Sequence, residues 1–473
     1  MSVIGPQSRL TQVRGTVPNM SVIDASSVRH NDSMIESPLS TPRLDMQLIA
    51  DRRELHRVAE PGWCEVFTAS KVVAALRGLG WEVRWGADVV RADARLGLPP
   101  QQELDFFYER ALELGADPET AGALRNGFTG VVGCLKGTAP GPTIAFRFDL
   151  DANHGGESRS EEHLPARDGY ASTCANTHHN CGHDGHAAMG LALARSLTQW
   201  RDRIAGEVRL IFQPAEEGLR GARAMVAAGV LDDVDRFIGC HLGVQARQVG
   251  EIISGYRDIL GSVKLDVAFA GTGAHAAVSP QEGRNALLAA CVAAQNLMAI
   301  PRHGGGDTRV NVGMLSGGES RNTIPSTARL ALELRSESTE ALQFLKEAAH
   351  RVIEGAAAMH GVSFQVDLAG EACSASSDRS LAQLVGAAAQ SMSRVHTVRD
   401  DVSFKGSDDA AEMMRRVQDR GGQAVYFGIG SKLGAVHHNP RFDFDEESLS
   451  IGTELLERIA RLLLTPLPEA GHL

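Results

Sequence analysis

The stretch Asn180-Cys181-Gly182-His183-Asp184-Gly185-His186 places a thiol and two imidazoles within one short loop. Thiolate and imidazole are soft and borderline donors that first-row metals take up, so the stretch reads as half of a metal site. The other half is expected downstream: Glu216 and Glu217 after an apolar strand, His241 after another, and His437-His438 near the C-terminus. Carboxylates beside such a cluster give a hydrolase its needs, which are donors for a metal, an activated water and a proton carrier.

Gly182 lets the backbone turn and aim Cys181 and His183 at one point. A helix predicted just beyond them offers an N-terminal end that favours a thiolate. Asp184 is expected to accept a hydrogen bond from a ligand imidazole rather than to bind metal. Adjacent side chains point different ways in extended or turning backbone. One of Glu216 and Glu217 can therefore ligate while the other faces substrate. Spacing does not choose between His437 and His438. His275, in Gly271-Thr272-Gly273-Ala274-His275-Ala276, reads equally as a loop histidine, and Gly317 to Pro325 as a hairpin turn.

These side chains need a scaffold, and its outline is legible. Apolar spacing predicts helices within 45–80, broken at Pro61-Gly62, and over 186–200 and 223–228. Buried strands are expected at 143–149, which delivers Asp149 and Asp151, at 208–212 and at 236–240. Strands alternating with helices imply an α/β fold with a mainly parallel sheet, covered on both faces. Near residue 257 the style changes. A half-exposed strand at 263–269, a helix at 284–300, strands at 308–315 and 327–335, a helix at 338–358 and a strand at 362–368 form an α+β unit of split-βαβ type. The first style then resumes with a helix at 378–393, a strand at 423–427 and a closing helix at 446–464. The division expected is a disordered tail at 1–44, a catalytic unit at 45–256 and 373–473, and an insert at 257–372.

Bulk properties narrow the partners. The 473 residues carry 47 basic and 58 acidic side chains, a net charge of −11 that disfavours nucleic acid. No segment is long and apolar enough for a membrane span. Seven scattered cysteines fit a reducing compartment, so a cytoplasmic protein is expected.

Four strings together carry a resemblance: Arg147-Phe148-Asp149-Leu150-Asp151, the Asn180 to His186 loop, Phe212-Gln213-Pro214-Ala215-Glu216-Glu217-Gly218, and His438-Asn439-Pro440-Arg441-Phe442-Asp443. They resemble, in order from about residue 50 to 465, the metal-dependent amidohydrolase branch of the aminoacylase/carboxypeptidase (zinc peptidase) clan. Gly127-Phe128-Thr129-Gly130, Arg220 to Val226, Arg309 to Gly313 and Gly406-Ser407-Asp408-Asp409-Ala410 resemble its p-aminobenzoyl-glutamate hydrolase subfamily.

The resemblance implies a di-metal catalytic domain, with two divalent ions, Mn or Zn, interrupted by a ferredoxin-like lid through which such enzymes commonly form homodimers. It implies Cys181, His183, Glu217, His241 and His438 as metal ligands and Glu216 as general acid/base. It also implies that His275 contacts the substrate carboxyl or the tetrahedral intermediate, sometimes across a dimer interface, and that Asn322 and Arg335 recognise the free carboxylate. The implied reaction is cleavage of an aroyl- or acyl-amino acid, first of all p-aminobenzoyl-glutamate to p-aminobenzoate and glutamate. An indoleacetyl- or other N-acyl-amino acid is the alternative. The intact Glu216 and ligand set argue against a silent metal-binding relative, and the Glu pair against a closed structural zinc site. The chain departs from the family at Ala152-Asn153-His154-Gly155-Gly156, where Ala-Leu is usual, at His178-His179, and at Asp408, where Glu is typical.

Overall fold

A computed structural model describes residues 42–465 of the chain. The expected tail lies outside the described residues except for 42–44, which open the first helix, Pro42–Val58. Pro61-Gly62 does break the helical region, and the second helix runs Val66–Gly78.

An eight-stranded sheet forms the larger unit. Its centre consists of Ala205–Gln213, Ala139–Asp149, Arg236–Leu242 and Gln423–Ile429, all mutually parallel in that order. Val131–Lys136 and Glu82–Trp85 extend one side antiparallel. Glu251–Ile253 joins the other side antiparallel, and Thr397–Arg399 pairs parallel with it. Four of the seven pairings are parallel, so the sheet is mixed at its margins and parallel where it matters. The central strands read as unbroken apolar runs because both faces are covered. Phe146, Phe148, Leu210, Phe212, Ile238, Val425 and Phe427 are all buried in the process. The marginal strands escaped the sequence reading because they are short, three to six residues each, too few to establish a period.

Parallel strands deliver their C-terminal ends to one edge, where open α/β sheets place their sites. Asp149, Gln213 and His241 stand at or near those ends. The helix that follows the thiol loop runs His183–Gln199, starting three residues earlier than its apolar period suggested. Gly182 precedes it at φ 100°, a left-handed conformation that only glycine adopts cheaply. His183 and Asp184 therefore sit in the first helical turn. The helix is held between the sheet, the opening helix and the closing helix Glu447–Leu464.

Between Gly261 and Ala372 the second unit is a four-stranded antiparallel sheet, in the order Thr308–Gly317, Thr327–Ser336, Gly261–Ala270, Ser363–Ala372. Helices Ala286–Met298 and Thr339–His360 cover one face, capped by Asn285 and Ser338 side chains. Val263, Leu265, Val267 and Phe269 point into that covered face and alternate with Lys264, Asp266 and Ala268 on the open one. Gly318 to Ser326 is the hairpin connection between the first two of these strands, and Gly317 still pairs with Ala328. Among the described residues, no helix is long and apolar enough to cross a membrane.

Candidate metal centre

At the C-terminal edge of the sheet, side chains distant in sequence meet. Cys181 Sγ lies 3.5 Å from His241 Nε2. The donor atoms of Cys181, His183 and His241 fall within 4.8 Å of one another, and so do those of Cys181, Glu217 and His438. The two donor groups share one sulfur, which is how a thiolate can serve two cations.

Two of the imidazoles turn Nε2 into the site. His183 donates from Nδ1 to the Asp151 carbonyl at 2.8 Å, which leaves the lone pair on Nε2. That Nε2 is buried and has no hydrogen-bond partner. His241 likewise donates from Nδ1 to the Leu242 carbonyl at 2.9 Å and turns Nε2 to the sulfur. Soft sulfur, free imidazole lone pairs and a carboxylate form a donor set that fits a divalent pair.

The electrostatics agree. Burial and the Glu217 carboxylate push the Cys181 thiol well above its usual range. Burial works against a charged His183, yet Asp149 and Cys181 draw its pKa well upward. Burial and the neighbouring His186 and His437 hold His241 well below its usual value, so it stands neutral. Cation uptake at Cys181 and His183 is coupled to loss of protons.

Geometry separates His437 from His438 and gives His186 and Asp184 partners of their own. His438 Nε2 lies 3.3 Å from Glu217 Oε1, with its backbone N–H on the Asn180 carbonyl at 2.8 Å. His437 instead donates from Nε2 to the Leu242 carbonyl at 3.1 Å and packs against Phe442. The left-handed φ of 65° at His438 sends the two neighbours apart. Both His186 ring nitrogens are engaged: Nδ1 donates to Asp149 at 2.6 Å and Nε2 accepts from the Leu242 N–H at 3.1 Å. Asp149, His183 and His186 do cluster, but there Asp149 is engaged by His186 and Arg147, and His183 Nε2 stands 3.8 Å away from it. Asp184 does not support a ligand imidazole, contrary to expectation. Buried at the helix start, it accepts from Arg52 at 2.8 Å and His56 at 2.9 Å, because the first turn faces the opening helix. The Asp151 carbonyl does that work for His183.

Glu216 and Glu217 share a turn but not an environment. Glu216 is 8% exposed and its Oε2 lies 3.9 Å from His183 Nε2. Burial, then Asp408 and Glu217, push its pKa well above the ordinary carboxylate value. Burial would raise Glu217 too, yet the hydrogen bond from His438 and the charge of His183 bring it down to about 2. Neighbouring carboxylates driven apart in this way suit a proton carrier and an anionic ligand.

The turn itself is held by buried carboxylates that sequence reasoning missed as a set. Ala215, at φ 50°, donates its N–H to Glu65 Oε1 at 2.7 Å. The N–H groups of Glu216 and Glu217 go to the two Asp151 oxygens at 3.0 and 2.9 Å. Asp409 accepts from Gly221 and Ala222 at 3.1 and 2.9 Å. Asn153, in the divergent segment after Asp151, bonds Glu217 Oε1 and Asn180 Oδ1. The break with the family pattern at that position was the signal that could have pointed to it. Glu65 carried none, being a lone acid at the start of a helix.

In the four-stranded unit, His275 is exposed, and its Nδ1 accepts from the Ala277 and Val278 N–H groups, both at 3.2 Å. The proton is thereby assigned to Nε2, which can donate outward. Asn322 is its neighbour, with its carbonyl accepting from the Ala276 N–H at 2.9 Å. Arg335 is not brought to them. It stands eight residues along the strand from Thr327, roughly 27 Å at the usual rise, and grips Glu333 at 2.9 Å.

Residues 145–462 match the profile of peptidase family M20/M25/M40. The chain belongs to this family. It is 45% identical over 406 residues to the indole-3-acetyl-aspartic acid hydrolase of Enterobacter agglomerans, covering 86% of this chain and 93% of the relative. It is 44% identical over 410 residues to one of the subunits of the p-aminobenzoyl-glutamate hydrolase of Escherichia coli K12, covering 86% and 94%. Among solved structures, the aminobenzoyl-glutamate utilization protein of Klebsiella pneumoniae superposes with a TM-score of 0.77 at 40% identity, over 88% of this chain and 96% of that one. A dinuclear metal-binding M20 peptidase of Bacillus subtilis gives 0.63 at 26% identity, over 90% and 100%. The protein is a metallo-hydrolase with the fold of the family's dinuclear enzymes, a catalytic α/β unit with an inserted lid.

Proposed function

We propose that this M20 enzyme hydrolyses the amide bond of aroyl- or acyl-amino acids, with p-aminobenzoyl-glutamate as first substrate and an indoleacetyl-aspartate type of conjugate as second. The observation that carries the reading is the opposed tuning of Glu216 and Glu217 beside two donor groups that share Cys181. The relatives at 44 and 45% identity, named for those two conjugates, narrow the chemistry to this substrate class.

In this reading Cys181, His183, Glu217, His241 and His438 hold two divalent ions. Sulfur favours Zn, while the carboxylate and imidazoles also accept Mn. The ions supply Lewis acidity that polarises the amide carbonyl and acidifies water. Glu216 takes the proton of the attacking water and returns it to the departing amine nitrogen. His275 Nε2–H stabilises the negative charge that grows on the carbonyl oxygen. Asn322 and Arg335 bind the free carboxylate of the amino acid.

The lid is proposed to dimerise. Its edge strand Thr308–Gly317 leaves Met314 and Leu315 exposed, and the adjacent helix exposes Leu288 and Met298. An uncovered edge with apolar side chains invites a second copy. Such a partner would also account for His275 and Asn322 standing far from Arg335 in one chain. Seven unpaired cysteines suit a cytoplasmic enzyme.

The test pairs elemental analysis of the purified protein with a panel of N-acyl glutamates and aspartates, read by release of free amine. Two equivalents of Zn or Mn and release from the p-aminobenzoyl or indoleacetyl conjugate are expected. Protein loaded with either metal that releases no amine from any conjugate refutes the proposal.

A further inference from the structure

The open face of the lid sheet carries a cation that the reading above does not use. Lys264 lies on that face, half-buried, in register with Glu333 on one neighbouring strand and Gly370 on the other. Arg335 is on the same face, paired with Ser262 two residues away. Diagonal positions on adjacent strands are about 7–8 Å apart, within reach of one small ligand for two long side chains.

This end of the sheet sits against the catalytic turn. A side chain at Gly370 would come within 2.0 Å of the Gly218 carbonyl, so backbone meets backbone there. The Glu371 N–H also donates to the Leu219 carbonyl at 3.0 Å. Gly218 and Leu219 directly follow Glu216 and Glu217, so Lys264 is one strand removed from the catalytic dyad.

Among the described residues, the Lys264 ammonium makes no hydrogen bond or ion pair. The nearest acid in register, Glu333, is occupied by Arg335 Nε and Nη2, each at 2.9 Å, and by Ser262 at 3.3 Å. Asp266, two residues along on the same face, is solvent-exposed and forms no ion pair with it. A half-buried, unpaired ammonium, one strand from the backbone that follows Glu216 and Glu217, is a ready site for an anion.

Resting on the proposed hydrolase reading, we propose that Lys264 is a specificity residue. It binds the second, side-chain carboxylate of an acidic amino acid while Arg335 takes the carboxylate next to the scissile amide. The site would therefore select dicarboxylic conjugates, of glutamate or aspartate, over neutral ones.

The experiment compares kcat and KM of the metal-loaded enzyme for p-aminobenzoyl-glutamate and p-aminobenzoyl-glutamine, which differ only in that distal group. Wild type should prefer the glutamate conjugate. Lys264→Met should lower the glutamate-to-glutamine ratio of kcat/KM roughly 10- to 100-fold, the cost of one charge-assisted hydrogen bond, mainly through KM. Lys264→Arg should keep most of the preference. A wild-type ratio near one, or a Lys264→Met ratio within twofold of wild type, overturns the Lys264 assignment alone, since turnover of either conjugate sustains the hydrolase reading. No release from either conjugate overturns the Lys264 assignment, and only a further failure to release amine from indoleacetyl-aspartate ends the hydrolase reading as well.

Discussion

Replacing Asp151 by Asn tests whether the catalytic dyad is aimed by its backbone. Both Asp151 oxygens accept hydrogen bonds, from the N–H groups of Glu216 and Glu217 at 3.0 and 2.9 Å, and the side chain is fully buried. Asn keeps one acceptor oxygen and puts an NH2 group against the other backbone N–H. One donor is then left unmet in a buried site, a loss of about 1.5–3 kcal/mol for a bond to a charged acceptor. Ala215 is already at φ 50°, so the turn has little freedom to relax elsewhere. A displacement of Glu216 by about 1 Å costs on the order of 100-fold in rate. The His183 tautomer is set by the Asp151 backbone carbonyl, which the substitution leaves in place. Metal content should therefore survive while kcat falls about 100-fold and the unfolding midpoint drops. Elemental analysis, steady-state kinetics and thermal unfolding of Asp151→Asn measure the three quantities. A kcat within threefold of wild type, at full metal content, would refute the reasoning and assign the turn to Glu65 and Asp409 alone.

Glu216→Gln should lower kcat roughly 10²- to 10⁴-fold without loss of metal, as removal of a positioned proton carrier does; near-normal turnover would end that assignment. His275→Ala should lose activity with metal content intact, and a normal kcat/KM would remove the lid histidine from the mechanism. Buried His56 gives a pH prediction. Burial opposes its charge, but hydrogen bonds to Asp184 and Glu157 raise its pKa from 6.5 to about 9. The folded value lies above the unfolded one, so its contribution to stability is complete below pH 6.5 and is lost as pH rises through about 9. Urea unfolding across that window should show less alkaline loss for His56→Gln than for wild type, and parallel curves would exclude the charged pair.

Much of the centre could be read from residue order. Cys181-Gly182-His183 needs only a left-handed glycine to aim two donors, and that is local geometry. Glu216 and Glu217 follow a buried parallel strand, and such strands end at the site edge whatever the rest of the fold does. The lid's alternating strand at 263–269 declared which side chains face its helices and which do not.

What residue order left open depends on contacts that no local rule encodes. The choice of His438 over His437 rests on a backbone bond to Asn180 and a carbonyl at Leu242, both far away in sequence. Residue order points Asp184 to a ligand imidazole, but the packing of the opening helix gives it Arg52 and His56. Glu65 reaches Ala215 across 150 positions, and Asp409 reaches Gly221 across 188, so nothing near either acid announces its role. The same holds for Lys264, an ordinary strand lysine until the sheet register sets it beside Gly370 and the turn it touches. Donor types and their local aim are properties of the chain. Which donors meet, and at what charge, follows from burial and from partners that only the folded molecule brings within a few ångströms.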